Sequence, residues 1–373
     1  MLIKDYVLGR LFQFRDKVNF ILGRFLFDKP PSTAALKSVS SILFVRGDGK
    51  IGDSIVSSFL YREIKNQQPE IKLGVLCTSN SKKLFDTDPY IDSVHEYPKR
   101  PKLWQVKSLI RQLPSYDAVI FLPEVMKARD FLMLRCLKAK ANIGVAKNVR
   151  LINYNISAEI AGKHSQEYFV EAARQLGFTV SNSNYRFNLP EMIEQDVMAF
   201  LGSKKGRYIA INAFGNTQKR SFSKSRLMEV LQALKKRFPE YPIVVMASPV
   251  SQSLVNTVAD GIEDVFCIEN TESIEQNAAL IKYCKLFISV DTATVHLARC
   301  FNTPMVAIYR PDPQNFAMWQ PNYQPTEVVF SRAANNPREE VNIGEFETSE
   351  LLAAVSHLLE HESKVLNNEN TRH

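Results

Sequence analysis

The sequence lacks the patterns that mark a membrane-spanning, secreted or zinc-binding chain. It has no run of about 18 uncharged apolar residues, so no segment is expected to span a membrane. Charged residues from Arg10 to Arg24 interrupt the apolar stretches near the N-terminus, so we do not expect a secretory signal there. Zinc-finger spacing, an RNA-binding aromatic signature, short repeats and low-complexity tracts are also missing, so nucleic acid is not an expected partner.

Cysteine is scarce and gives no sign of a metal site. The five cysteines are odd in number and widely spaced, and no pair has the spacing of metal ligands. Each lies in an apolar or strand-like context, so we expect buried, reduced thiols and a cytoplasmic protein. The cysteines are Cys77, Cys136, Cys267, Cys284 and Cys300.

The length and charge of the chain indicate two domains and an acidic partner. A chain of 373 residues is too long for one ordinary core, and 45% hydrophobic residues can fill two. The formal net charge of +8 predicts an anionic partner. Because the basic residues are spread along the chain rather than blocked, an anionic substrate or an anionic membrane surface fits better than nucleic acid.

The first 34 residues form a predicted amphipathic segment. Apolar residues recur at helical spacing through 4–27, and residues 1–30 hold six Lys or Arg against three Asp. A basic amphipathic helix of this kind can lie in an anionic lipid interface. The alternative is a helix packed on the surface of its own domain, and the sequence leaves both open.

Strands and helices alternate from Ser41 onward, which predicts an α/β fold with parallel sheets. The expected strands are 41–46, 71–77, 92–96, 117–122, 142–145, 207–212, 242–247, 264–268, 285–290 and 304–309. The expected helices are 52–66, 81–86, 102–112, 126–138, 165–177, 223–237, 250–259, 273–282, 292–301 and 348–361. We place one Rossmann-like domain at 35–185, a second at 186–345, and a last helix with a polar tail at 346–373. The polar segment 178–206 is broken by Pro190, Gly202 and Gly206 and is interpreted as the linker region.

The segment Leu286–Tyr309 is the most informative part of the chain. It is predicted to form a strand, an abrupt turn, a helix and a second strand, with Asp291, Thr292 and Thr294 where the helix begins. Open α/β sheets bind ligands beyond the carboxyl ends of their strands, and a helix N-terminus favours anions. This turn is therefore a candidate site for a phosphate-bearing small molecule.

A glycine-rich turn follows the first strand. Gly47, Gly49 and Gly52 match the dinucleotide pattern G-x-G-x-x-G. However, the second strand ends without an acidic residue for a ribose, and Asp48 and Asp53 would repel a pyrophosphate. The alternative is that Asp53 acts as a general base toward a sugar hydroxyl, although from position alone it could equally cap the helix.

Several separated segments match the sequence motifs of one enzyme family in their order and spacing. They are Ile42–Arg46 with Ile51–Ser54, then Ile288–Ala298, Asn302–Tyr309 and Pro311–Pro313. His164 and Lys219, each ahead of a helix, add to the likeness. Over roughly residues 41–360 the chain resembles glycosyltransferase family 9, the heptosyltransferases that build the inner core of lipopolysaccharide.

The resemblance implies a GT-B fold with two facing Rossmann-like domains, in which the C-terminal domain binds most of the donor. The implied reaction is inverting transfer of a heptose from a nucleotide sugar, ADP-heptose in the family, to an acidic Kdo or heptose acceptor. No metal and no other cofactor is expected, and no Asp-x-Asp motif stands at the donor turn.

Residue roles also follow from the resemblance. Asp53 matches the family's catalytic carboxylate, and Lys219 matches a lysine that neutralises the donor pyrophosphate. His296 either reaches the phosphates or packs beneath the turn. The implied donor site consists of Lys219, Asp291, Thr292, Ala293, Thr294 and His296. The candidate acceptor-binding residues are Gly52, Lys99, Arg100, Lys102 and Lys127, and the cations among them could instead be solvated surface residues.

The chain departs from the family pattern at three places. Ala293 stands where the family usually has glycine in the donor turn, and Ser221 and Phe222 stand where a tryptophan is often found near Lys219. The segment Ser248–Ser253 carries no carboxylate for the ribose of the donor. These departures bear on the identity of the nucleotide and its contacts.

The leading hypothesis is a glycosyltransferase that is peripheral on the cytoplasmic face of the bacterial inner membrane. Its partners would be a nucleotide-sugar donor, a lipid-linked acceptor (Kdo-lipid A or core oligosaccharide) and an anionic membrane surface. Two alternatives stay open at this point: a nucleotide-sugar epimerase of the same fold, and a non-catalytic relative that binds sugar nucleotides.

Overall fold

The computed structural model describes residues 2–31, 38–336 and 339–370, with side chains for 14–31, 38–336 and 339–360. The chain divides into two compact units, Met1–Ser183 and Asn184–His373. Each unit is built on one six-stranded sheet with helices packed against it.

The first unit opens with a long helix and then alternates strands and helices. Its strands are β1 (Ser41–Arg46), β2 (Lys72–Cys77), β3 (Ser93–Glu96), β4 (Ala118–Ile120), β5 (Ala141–Gly144) and β6 (Tyr154–Asn155). Its helices are α1 (Leu2–Phe27), α2 (Ile51–Val56), α3 (Ser58–Gln67), α4 (Ser79–Asp86), α5 (Leu103–Ile110), α6 (Ala128–Leu137) and α7 (Ser165–Gln175).

The second unit repeats this alternation. Its strands are β7 (Ile209–Asn212), β8 (Ile243–Val245), β9 (Val265–Phe266), β10 (Leu286–Val290), β11 (Met305–Tyr309) and β12 (Thr326–Phe330). Its helices are α8 (Glu191–Leu201), α9 (Lys224–Arg237), α10 (Gln252–Ala259), α11 (Ile274–Tyr283), α12 (Ala293–Phe301), α13 (Pro313–Trp319) and α14 (Thr348–Asn370).

Both sheets have the same strand order and are parallel in every described pairing. The first runs β3-β2-β1-β4-β5-β6, and the second runs β12-β11-β10-β7-β8-β9, which is the same order in reverse. The order changes direction between β1 and β4 in one sheet and between β7 and β10 in the other. Ligands of open α/β sheets bind beyond the strand ends at such switch points. The predicted α/β class with two parallel sheets is confirmed.

The central strands are buried on both faces, as expected for a parallel sheet covered by helices. In the first unit, Leu43 of β1 and Phe131 of α6 belong to one core cluster. In the second, Ile288 of β10 shares a core with Leu231 of α9 and Leu351 of α14. These two cores hold the strand ends, and therefore the turns that follow them, in place.

The predicted linker at 178–206 is partly wrong, because it contains helix α8. Pro190 occupies the position before the first helical residue, and Gly202 ends the helix with a φ of 49°. Proline near a helix start and glycine just past a helix end are ordinary terminal signals. Because proline and glycine are also frequent in loops, the sequence pattern does not reveal the helix between them.

Two other expectations need correction. The helix expected at 52–66 is interrupted at Ser57, which separates α2 from α3. All five cysteines are free thiols, as expected, but only Cys77 and Cys284 are buried, and the other three are half-buried.

Helix α1 packs on α6 through one of its faces. The rings of Phe20 and Phe131 meet edge to face at 5.6 Å. A Cβ at Gly23 would lie 2.5 Å from Phe131 Cδ2 and 2.8 Å from Ala128 Cα, so only glycine permits this approach. The packing alternative for the segment is therefore confirmed for this face, while the side chains of residues 1–13, including several apolar positions of the predicted stripe, lie outside the described residues.

Within residues 2–31, 38–336 and 339–370, no helix combines the length and apolar character needed to cross a bilayer.

We expect Ile288→Ala to destabilise the second unit by about 2–5 kcal/mol, because it removes a fully buried side chain and leaves a cavity in the core. Urea unfolding followed by circular dichroism measures the change. Val250→Ala is the matched control, since Val250 is 97% exposed and its loss should change stability by less than about 0.5 kcal/mol. Equal midpoints for the two variants would contradict the central position of β10.

Candidate active site

The turn after β1 brings acidic and basic side chains together at the carboxyl edge of the first sheet. Gly49 has a φ of 67°, which glycine adopts without strain. A Cβ at this position would also lie 2.7 Å from Thr78 Oγ1, just beyond the end of β2. This glycine therefore serves the backbone geometry of the turn, which accounts for part of the G-x-G-x-x-G pattern without a dinucleotide.

Asp53 lies in the first turn of α2, as predicted, but it does not cap the helix. The N-cap residue is Lys50, and the structure has no side-chain hydrogen bond at this cap. Lys50 Nζ lies 3.6 Å from Asp53 Oδ2. The capping interpretation is therefore wrong, and the carboxyl is left for another role.

The pKa of Asp53 is raised to about 6, chiefly because burial disfavours the charged carboxylate. The positive charges of Arg46 and Lys50 oppose this rise, and the nearby Asp48 adds to it. A carboxyl with a pKa near 6 is mostly ionised at pH 7 and is a stronger base than an ordinary aspartate. Its surroundings thus suit proton abstraction from a hydroxyl group.

Arg46 is a part of this site that the sequence interpretation missed. Its guanidinium carbon lies 5.4 Å from the centre of the Phe169 ring. Its Nε and Nη2 atoms are buried, and among the described residues they have no hydrogen-bond partner. A charged residue that ends a buried strand was the available signal.

The predicted acceptor-binding residues follow strand ends of the same sheet. Gly52 precedes Asp53 in α2, while Lys99, Arg100 and Lys102 are exposed in the segment between β3 and α5. Lys127 is half-buried at the N-cap of α6, and its Nζ lies 3.5 Å from Asp16 Oδ1 of α1. The structure thus engages Lys127 with the first helix and leaves the other three lysine and arginine side chains open to solvent.

The turn after β10 holds a compact network of hydroxyl groups. Asn212, the last residue of β7, donates through Nδ2 to Thr294 Oγ1 at 2.9 Å and to Thr292 Oγ1 at 3.2 Å. Thr294 Oγ1 also lies 2.8 Å from Ser289 Oγ and 2.8 Å from Thr292 Oγ1. Side chains directly beneath the turn therefore join β7 and β10, the two adjacent strands at the switch point.

Thr292, predicted to lie where the helix begins, is the N-cap of α12. Its Oγ1 accepts a hydrogen bond from the backbone N–H of Thr294 at a long 3.4 Å. Ala293 is the first helical residue and is half-buried. The start of α12 thus places hydroxyls and backbone donors beyond the end of a buried strand, where helix termini favour anions.

Asp291 joins this turn to the neighbouring loops. Its Oδ2 lies 3.6 Å from Arg220 Nη1 and accepts a hydrogen bond from Asn315 Nδ2 at 3.3 Å. Burial raises the pKa of Asp291, while Arg220 and Asn315 oppose the rise. The carboxyl therefore acts as an anchor that holds Arg220 beside the turn.

The loop after β7 is folded tightly on itself and carries Lys219. Gly215 N donates to Ser221 Oγ at 3.0 Å, and Ser221 Oγ donates to Thr217 O at 2.9 Å. Phe222 is buried against Phe346, with ring centres 5.6 Å apart. Serine and phenylalanine, which depart from the family pattern, are thus structural here, and they leave the Lys219 side chain exposed.

His296 is buried beneath the turn. Its ring lies between those of Tyr185 and Trp319, with both pairs of ring centres 6.1 Å apart. This placement agrees with the alternative in which His296 packs beneath the turn. Contact of His296 with the donor phosphates remains a prediction.

The segment after β8 is closed by its own hydroxyls. Ser248 N donates to Ser251 Oγ at 2.9 Å, and the two hydroxyls lie 3.1 Å apart. Asn277 Nδ2 donates to Ala247 O at 3.0 Å, while Asn277 Oδ1 is buried and has no partner among the described residues. Asn277 is thus a polar group near the strand end that could contact a nucleotide where no carboxylate is present.

A cavity of about 970 Å³ lies elsewhere, between β12 and α14. Its lining includes Glu327, Glu345, Glu347 and Glu350 and none of the predicted donor residues. Four glutamates outnumber Arg332 and His357 in this lining, and the excess of acidic groups disfavours a nucleoside diphosphate. Among the described residues, no group of three His, Cys, Asp or Glu side chains could hold a metal ion.

Comparison with known proteins identifies the family. The sequence model of glycosyltransferase family 9 (heptosyltransferase) matches residues 106–345. Lipopolysaccharide heptosyltransferase 3 of Escherichia coli K12 is 24% identical over 316 residues, which cover 75% of this chain and 89% of the relative.

Solved structures share the fold. A glycosyltransferase family 9 protein from Veillonella parvula has a TM-score of 0.72 at 17% identity, covering 86% of this chain and 98% of its own. The ADP-heptose lipopolysaccharide heptosyltransferase II of Escherichia coli has a TM-score of 0.67 at 16% identity, covering 87% of this chain and 99% of its own. The fold is therefore GT-B. Because the family match extends over more than half of the residues, this chain belongs to glycosyltransferase family 9 (heptosyltransferase) and is a glycosyltransferase.

Proposed function

We propose that this protein transfers a heptose from ADP-heptose to a Kdo or heptose residue of the lipopolysaccharide inner core. The observation that carries the proposal is the half-buried Asp53 carboxyl, whose pKa of about 6 suits a general base. The names of two relatives, lipopolysaccharide heptosyltransferase 3 and ADP-heptose lipopolysaccharide heptosyltransferase II, support the choice of donor and acceptor.

In the proposed reaction, Asp53 takes the proton of the acceptor hydroxyl as its oxygen attacks the anomeric carbon. The bond from that carbon to the donor diphosphate breaks, and ADP leaves with the electron pair. A single displacement of this kind inverts the anomeric configuration. Arg46 and Lys50 keep part of the Asp53 population ionised, because their charges oppose the effect of burial on its pKa.

Charge on the leaving diphosphate is proposed to meet the cations and donors of the second unit. Lys219 is exposed after β7, and Arg220 is held beside the turn by Asp291. With the start of α12 they offer positive charge where negative charge grows in the transition state, which lowers the barrier. We propose that these groups serve in place of a metal ion and that no cofactor takes part.

The proposed acceptor is linked to lipid, so the proposed place of action is the cytoplasmic face of the bacterial inner membrane. The net charge of +8 supports contact with an anionic surface. Binding is proposed to be peripheral.

We expect purified protein to transfer heptose from ADP-heptose to Kdo₂-lipid A, and Asp53→Asn to lower kcat by about 10²–10⁴-fold because the amide cannot take the proton. Mass spectrometry of the lipid product measures transfer, and calorimetry with ADP should show unchanged donor binding.

Asp86→Asn is the matched control, since Asp86 is an exposed carboxylate of the same unit paired with Lys82. It should keep full activity. An Asp53→Asn enzyme as active as this control would refute the role of Asp53, and absence of product with wild-type protein would remove this donor and acceptor pair.

The pH dependence of kcat/KM should show an acid limb near pH 6, because protonated Asp53 cannot accept a further proton. Below this pH the rate should fall about tenfold per pH unit. Asp48→Asn removes a charge that raises the pKa and should move the limb to lower pH, whereas Lys50→Gln removes a charge that lowers it and should move the limb to higher pH. Initial rates at saturating donor give the profiles, and identical limbs in all three enzymes would contradict the assignment.

We expect Lys219→Ala to weaken ADP binding by about tenfold, the effect of losing roughly 1.4 kcal/mol of interaction with the diphosphate. Isothermal titration calorimetry measures the dissociation constant. Lys236→Ala is the control, because Lys236 is exposed on α9, away from the turn. Adenosine should bind both variants and wild type alike, so a loss of adenosine affinity in Lys219→Ala would indicate a change in the loop instead.

A further inference from the structure

Exposed apolar side chains are concentrated on three neighbouring segments of the first unit. Among the described side chains, thirteen large hydrophobic residues are exposed, and nine of them belong to α1, the start of α5 or the segment before α6. These nine are Phe14, Val18, Ile21, Leu22, Phe25, Leu26, Leu103, Trp104 and Val125. Scattered exposed hydrophobics are normal, but a contiguous group marks an interaction surface.

The apolar stripe of α1 belongs to a helix that is fixed in place. Phe20 and Gly23 bind its inner face to α6. At its end, the buried Asp28 carboxylate accepts hydrogen bonds from Arg150 N at 3.0 Å and Leu151 N at 2.8 Å. The outer stripe is therefore a second face of an anchored helix, with Phe25 85% exposed.

The start of α5 has the same combination of apolar and basic residues. Trp104 is 68% exposed, and Leu103 beside it is exposed as well. Lys99, Arg100 and Lys102 immediately precede them and are exposed. Helices α1 and α5 both contact α6, so the two groups lie on the same side of the sheet.

The charge of this face is positive. From Phe14 to Lys29, the exposed cations are Arg15, Lys17 and Arg24 of α1 and Lys29 just after it. The acids of the same stretch are two against these four cations: Asp16, which pairs with Arg15 and Lys127, and the buried Asp28. Near α5 and α6, Glu96 and Glu124 are exposed against three lysine and arginine residues.

We propose that this face, the docking surface, inserts its apolar side chains into an anionic lipid bilayer while its cations contact the lipid phosphates. The docking surface consists of the exposed apolar residues of α1 from Phe14 to Leu26 (the α1 stripe), of Leu103, Trp104 and Val125, and of the exposed cations beside them. The proposal rests on the proposed function in one respect, since a lipid-linked acceptor lies in such a bilayer. In this proposal Lys99, Arg100 and Lys102 bind the phosphates of lipid head groups.

Charge decides between a bilayer and a second copy of this chain. Two copies that met through this face would bring their cations together, and like charges oppose such an interface. An anionic bilayer complements them, and the aromatic and long basic side chains suit its interface. Tryptophan in particular is enriched at the level of the lipid head groups.

The docking surface also lies toward the edge of the sheet that carries Asp53. Helices α5 and α6 begin after the carboxyl ends of β3 and β4, and α2 begins after the carboxyl end of β1. In a parallel sheet these ends share one edge. A bilayer held at the starts of α5 and α6 is thus next to the edge where the acceptor hydroxyl would be activated.

Flotation of the full-length protein with vesicles tests the proposal. We expect binding to vesicles of phosphatidylcholine with phosphatidylglycerol, and weak binding to phosphatidylcholine alone. Ile21→Ser with Phe25→Ser should lower the bound fraction at least about tenfold, because two large side chains no longer enter the bilayer. The matched control, Met192→Ser with Val250→Ser, removes two exposed apolar residues of the second unit and should bind like wild type.

Fluorescence gives an independent measurement. Trp104 emission should shift to the blue on adding anionic vesicles, and Trp104→Phe should abolish the shift, since Trp319 is not part of the docking surface. Equal flotation of the stripe and control variants, or a shift that persists in Trp104→Phe, would overturn the proposal. A stripe variant that alters the sedimentation of the free protein instead would indicate a second copy as the occupant.

The vesicles in these experiments contain no acceptor, so they do not depend on the transferase reaction. Transfer to a delipidated, water-soluble core oligosaccharide should be equal in the stripe variant and wild type. Vesicle binding without transfer would count against the proposed function alone, and transfer without vesicle binding would count against the docking surface alone.

Discussion

Parallel strand pairing is the constraint on which the rest of this protein depends. Because every described strand pair is parallel, the chain must cross back before each new strand, over a helix in most connections and over a loop between β5 and β6. All carboxyl ends of one sheet therefore share an edge. Where the strand order reverses, two connections leave in opposite directions and expose the strand ends between them. The turn with Asp53 follows one switch-point strand, and the turn with Asp291 follows another, so backbone topology places both chemical groups before any side chain is chosen.

Side chains then set the chemistry of each edge through opposing electrostatic effects. At Asp53, burial outweighs the attraction of Arg46 and Lys50, and the pKa rises to about 6. At Asp291, burial also raises the pKa, but the carboxylate is bound to Arg220 and Asn315. Asp53 lies 3.6 Å from Lys50 Nζ and near the second acid Asp48, whereas Asp291 lies 3.6 Å from Arg220 Nη1 and also accepts a hydrogen bond from Asn315. The roles that we propose for the two acids differ accordingly, although both follow a buried strand.

Much of this arrangement could be predicted from the sequence because it depends on local signals. Residues close in the chain determine the apolar strands, the start of α12 near Thr292 and the position of Asp53 in the first turn of its helix. Contacts between distant segments could not be predicted, such as Asn212 with Thr294 or Arg220 with Asp291. Helix α8 was missed for a different reason, since Pro190 and Gly202 act as its terminal signals and had been interpreted as loop residues.

The two faces of α1 show why the question of packing or membrane contact had no single answer in the sequence. An amphipathic pattern shows which positions are apolar, but it does not distinguish those that pack on another helix from those that stay exposed. Gly23 resolves this, because close contact with Ala128 and Phe131 requires a residue without a side chain on the inner face. Large residues such as Ile21 and Phe25 are thereby turned outward, where burial in a bilayer would remove apolar surface from water. The same glycine that fixes the helix to its domain therefore determines which side chains the helix offers to the proposed docking surface.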